Sequence, residues 1–145
     1  MIDISKKDIT VRTARAKGTI ALGDNAFEII KNGTCKKGDV FTTAKIAAIQ
    51  AVKSTPNLIP MCHPILIESV DIDFENDEAE RTITIIVKVK STGRTGVEME
   101  ALCGAAAGCL TIYDMLKYSG KAMVIKEVKL IEKTGGKSGD YKRQD

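Results

Sequence analysis

Asp114 and Lys117 stand three residues apart, a spacing that puts both side chains on one face of a helix. An aspartate beside a lysine orients the ammonium, and burial or neighbouring cations can then bring its pKa into a range where it exchanges protons near neutral pH. The same pair reads equally as a surface salt bridge. A second group, Pro60-Met61-Cys62-His63-Pro64, holds the only histidine of the chain between prolines that stiffen the loop. Cys62 and His63 resemble a nucleophile with its base, but neighbours in an extended loop point in different directions. Zinc would need three or four ligands, and no second Cys/His cluster exists. No metal site is expected. A hydrogen bond from His63 that only fixes the loop is the plainer alternative.

Three further segments suit a polar, anionic ligand. In Gly96-Val97-Glu98-Met99-Glu100 two carboxylates fall in the first turn of a helix, where they offset the free N–H groups and the dipole. They could also accept hydrogen bonds from a guanine-like edge, with Gly96 allowing close approach. Lys36 and Lys37 precede Asp39, a good N-cap for the helix that follows. Near the C-terminus, Lys133-Thr134-Gly135-Gly136-Lys137-Ser138-Gly139-Asp140 lacks the spacing and context of a P-loop, yet glycine N–H groups beside lysines suit phosphate. The stretch from about residue 134 to 145 is expected to be a flexible, solvated tail that a bound anion would order.

These groups need a frame, and the chain supplies it. With 145 residues, 43% hydrophobic and 28% charged, it fits one globular domain with a core of its own. A net charge of +3 is too small to imply nucleic acid. No apolar run approaches the roughly 20 residues that span a bilayer, and the start lacks a secretory core, so a cytoplasmic protein without a membrane partner is expected. The four cysteines form no CxxC pair and are read as free thiols.

Alternation and helical periods predict a strand at 10–21, a short helix ending near Gly33 and a helix at 40–53. All three prolines fall in the following stretch, which must be an irregular connection. Strands at 69–75 and 82–89 then form a hairpin, followed by a long helix at 97–118 and a fourth strand at 123–133. The order β, α, β, β, α, β is that of an α+β, ferredoxin-like split βαβ sandwich, an antiparallel sheet with helices on one face. Its other face carries Ile86 and Ile131 beside charged residues, so partial burial by another subunit is expected.

Taken in order, KGDVFTTAKIAAIQAVKSTPNLIPMCHPI, TGVEMEALCGAA, LTIYDMLK and KTGGKSGDYK resemble the cyclic pyranopterin monophosphate synthase (MoaC) family of molybdenum cofactor biosynthesis over nearly the whole chain. The resemblance implies a ferredoxin-like subunit in a hexamer, a trimer of dimers with active sites at subunit interfaces. It implies a pyrophosphate-releasing lyase that converts 3',8-cyclo-7,8-dihydroguanosine 5'-triphosphate to cyclic pyranopterin monophosphate. By position, Asp114, Lys117 and Lys37 match the catalytic set. Met61, Cys62 and His63 match the substrate-binding loop, and Met99 and Glu100, with Glu98 alongside, the helix-start contact. Arg12 and Lys133 match basic positions for the triphosphate, and Lys137 adds a further cation. No tightly bound cofactor is implied, and Mg2+ could accompany the triphosphate. An RNA-binding module of similar fold would need stacking aromatics on its sheet, but only 4% of residues are aromatic and none lies in 83–89. A scaffold that has lost catalysis fits poorly with the full set of chemical residues.

Overall fold

The computed structural model describes residues 1–144. Along the chain run β1 (Thr10–Ala21), α1 (Asp24–Lys31), α2 (Val40–Lys53), a single turn α3 (Thr55–Leu58), β2 (Ser69–Asp77), β3 (Thr82–Gly93), α4 (Glu98–Leu116), β4 (Val124–Thr134) and β5 (Tyr141–Lys142). The sheet order is β2-β3-β1-β4-β5, and every pairing is antiparallel. The first four strands therefore have the split βαβ arrangement, a ferredoxin-like α+β fold. α4 lies across β1, β3 and β4, with α2 beside it over β2.

Strand alternation decides which face meets the helices. Ala14, Ala16 and Ile20 of β1 and Ile83, Ile85, Val87 and Val89 of β3 are buried, while Lys88 and Lys90, on the alternate positions, are exposed. Buried residues of α4, Ala101, Ala105, Cys109, Ile112 and Leu116, recur every three or four positions and close the core. Each large aliphatic side chain so buried stabilises the fold by roughly 1.5–3 kcal/mol. The helix sits close because it is small where it touches: a Cβ on Gly104 would lie 2.8 Å from Val52 Cγ2, and one on Gly108 would collide with Ile85.

α2 starts where Asp39 Oδ1 accepts from the Thr42 N–H at 2.6 Å, the cap expected from its position. The proline-rich connection contains one helical turn, α3. Pro56 sits at its start, where a missing N–H costs nothing, and the chain is irregular from there to β2. β3 runs four residues past the expected end because β1 is long enough to pair Thr10 with Gly93. After β4 the chain turns back, and Tyr141 and Lys142 pair with Lys133 and Glu132.

α4 is the one described helix long and apolar enough to cross a bilayer. Its buried face against the sheet marks it as the core helix of the sandwich. The four cysteines are free thiols.

Candidate active site

The predicted residues gather in three places. At the C-terminal end of α4, Lys37 Nζ donates to Asp114 Oδ2 at 2.9 Å and to the Asp114 carbonyl oxygen at 2.8 Å. Lys117 Nζ meets Asp114 Oδ1 at 2.6 Å. The segment carrying Lys37 is docked by its neighbours: the Lys36 N–H donates to Tyr118 Oη at 3.0 Å, and the Lys36 ammonium lies 5.5 Å from the Tyr118 ring centroid. The hydrogen bond from Lys117, then that from Lys37, holds the Asp114 carboxyl down at about 2. In return the hydrogen bond and charge of Asp114 push Lys117 up. The cluster is open to solvent, so it is ready to meet a ligand and contributes little to stability by itself.

The second place lies at the other end of α4. Met61, Cys62 and His63 face Gly96, Glu98, Met99 and Glu100 across a cleft of ≈ 470 Å³, with Met1, Ile2 and Ile4 on its rim. Glu100 is only 3% exposed. Among the described residues no lysine or arginine forms an ion pair with it. Burial, with the nearby Glu98 charge, pushes its carboxyl up. Its own backbone N–H donates to the carboxyl, and a ligand N–H edge would add a second donor. The Glu98 carboxylate folds over Gly96, where a Cβ would collide with it. Burial also raises the Cys62 thiol, which makes it a poor nucleophile.

The third place is a cleft of ≈ 920 Å³ lined by Lys6, Lys7, Asp8, Thr10, Arg12, Gly136, Lys137 and Ser138. Arg12 is 8% exposed and has no carboxylate ion pair among the described residues. Its Nε and Thr10 Oγ1 are the two buried side-chain polar atoms without a partner among the described residues, and both belong to lining residues of this cleft. An unpaired buried guanidinium among lysines suits an anion. Lys133 is not part of the lining, but its Nζ donates to Ser138 Oγ, which is, at 2.7 Å. Lys7 lines both this cleft and the one holding Glu100, so the two adjoin.

The acid–base cluster stands apart from them. Between Glu100 and Asp114 α4 climbs roughly 21 Å at 1.5 Å per residue. Sequence reasoning missed Lys6, Lys7 and Thr10. Thr10 was readable, since it shares a face of β1 with Arg12 by the two-residue period, but no local signal places the N-terminal segment against the glycine turn. Among the described residues no group of three or more His, Cys, Asp or Glu side chains is arranged to hold a metal.

The MoaC family model matches residues 1–136. A cyclic pyranopterin monophosphate synthase of Helicobacter hepaticus is 52% identical over 145 residues, which is 100% of this chain and 91% of the relative. One of Clostridium acetobutylicum is 48% identical over 143 residues, 99% of this chain and 89% of the relative. With the family model matched over residues 1–136 and relatives about half identical along nearly the whole chain, the chain belongs to the MoaC family.

Proposed function

We propose that this chain converts 3',8-cyclo-7,8-dihydroguanosine 5'-triphosphate to cyclic pyranopterin monophosphate and pyrophosphate, in molybdenum cofactor biosynthesis in the cytoplasm. The observation that carries this reading is the convergence of Lys37 and Lys117 on one carboxylate, Asp114. With Asp114 ionised and Lys117 raised in pKa, Lys117 enters the reaction as a cation and proton donor. The buried Glu100 carboxylate accepts from the guanine-derived N–H edge, beside Met61, Cys62 and His63. Arg12, Lys137 and Lys133, the last through Ser138, hold the triphosphate and stabilise the leaving pyrophosphate. No resident metal or organic cofactor takes part, and any Mg2+ arrives on the triphosphate.

A proton donor must come within hydrogen-bond reach of the reacting atoms, and the roughly 21 Å climb of α4 keeps Asp114 from Glu100 of the same chain. The active site is therefore shared between copies. Met99, Cys103, Ala107 and Leu110 form a mostly apolar, at least partly exposed stripe on α4 that leads from one half to the other. A second copy laid antiparallel along it sets the Asp114 end of one against the Glu100 end of the other. Three such pairs make the hexamer. The test supplies the cyclic nucleotide to wild type and Lys117→Ala and measures pyranopterin and pyrophosphate. Equal turnover removes Lys117 from the mechanism, and a monomer by light scattering at micromolar concentration removes the shared site.

A further inference from the structure

We propose that Asp140 is a positioning residue for phosphate binding, fastening the glycine turn so that it closes over Arg12 and presents Lys137 and Ser138 to the same anion. Asp140 Oδ1 accepts from the Gly135 N–H at 3.0 Å, which ties the end of the turn to its beginning. Gly135 and Gly136 have φ of 88° and 84°, a region that L side chains rarely adopt. A Cβ on Gly136 would collide with the Arg12 guanidinium, and one on Gly135 with the Val11 carbonyl oxygen. The bare backbone lies directly on the guanidinium, which is why so long a cation is only 8% exposed. From the same turn Ser138 Oγ accepts from Lys133 Nζ at 2.7 Å, so the carboxylate, together with the Gly139 N–H bond to the Gly136 carbonyl oxygen at 3.1 Å, sets the turn that carries Lys137 and Ser138 against Arg12 and Lys133.

This role rests on the reading of the basic cleft as the triphosphate site, and simple electrostatics argues in the opposite direction. A carboxylate near a cationic cleft repels an anion, so by Coulomb's law alone its removal tightens binding. A positioning role requires that losing the acceptor weakens binding in spite of the lost charge. The sign therefore decides.

The experiment titrates inorganic pyrophosphate calorimetrically into the intact wild type, Asp140→Ala and Asp140→Asn, with nucleotide turnover measured in parallel. Asp140→Ala is expected to bind about tenfold more weakly, the weight of one such hydrogen bond, with KM raised by a similar factor and kcat within about twofold. Asp140→Asn keeps an acceptor oxygen without the charge and is expected to bind at least as tightly as wild type. Asp140→Ala binding as tightly as wild type overturns the proposal, as does Asp140→Asn falling as far as Asp140→Ala, or a wild type that binds no pyrophosphate. A wild type that binds pyrophosphate in an Asp140-dependent way yet turns over no nucleotide supports the role of Asp140 and overturns the substrate reading alone.

Discussion

If the acid–base cluster and the binding clefts of one site come from different copies, two inactive variants should repair each other. Lys117→Ala damages the C-terminal end of α4 and Glu100→Gln the N-terminal end, and each alone is expected to lower kcat/KM by at least about a hundredfold. Co-expressed in equal amounts, the two chains pair at random, and half of the pairs are mixed. In a mixed pair one site collects both lesions, while the other takes its lysine from the Glu100→Gln chain and its glutamate from the Lys117→Ala chain. One of two sites is intact in half of the pairs, so roughly one quarter of wild-type activity returns. A site within one chain gives a different result, because every chain then carries one lesion and the mixture stays at background. Differently tagged chains purified through both tags, with native mass spectrometry to verify mixing, make the assay decisive. Background activity from verified mixed assemblies would refute the shared site.

The titration of Asp114 should follow its two lysines. Its lowered pKa means that any stabilisation it provides is present above the ordinary value of 3.8 and is lost progressively as pH falls from there through about 2, so a 13C carboxyl titration should show it ionised at pH 4. Lys117→Ala should move that midpoint up by about one pH unit. Glu100 has the opposite sign: its raised carboxyl costs stability as pH climbs above 4.5, so Glu100→Gln is expected to raise Tm at pH 7 and to leave it unchanged at pH 4. The Cys109 thiol, pushed up to about 12 by burial, should resist a disulfide reagent at pH 8 in the native protein and react at once in denaturant. Gly108→Val should destabilise by about 1–3 kcal/mol in urea titration, by overpacking against Ile85.

The frame was legible where local rules decide it. Asp39 announced the start of α2, the alternation from Val70 to Phe74 announced β2, and the periodic apolar positions from Leu102 to Leu116 announced α4. Lys37 and Asp114 are 77 residues apart, and no periodicity brings them together. Their meeting follows from the packing of the segment before α2 onto the end of α4, and the sequence offered it only through family resemblance. β5 was invisible for a related reason, since two residues carry no period and become a strand only because β4 lends them a partner. The contact of Gly136 with Arg12 is likewise a fact of tertiary packing, as is the burial of Glu100.

α4 can also be seen as a gauge of angle. Its buried face fixes how the helix is turned against the sheet, and the turns between Met99 and Asp114 fix the phase at which the stripe and both half-sites emerge. One residue inserted in Gly104–Gly108 would rotate everything beyond it by about 100° while adding only about 1.5 Å. Asp114 would then swing away from Lys37, and the apolar stripe would break in the middle. Point substitutions along the outer stripe are expected to be far milder. For this helix, rotational phase is a stricter requirement on the sequence than the identity of most of the side chains along it.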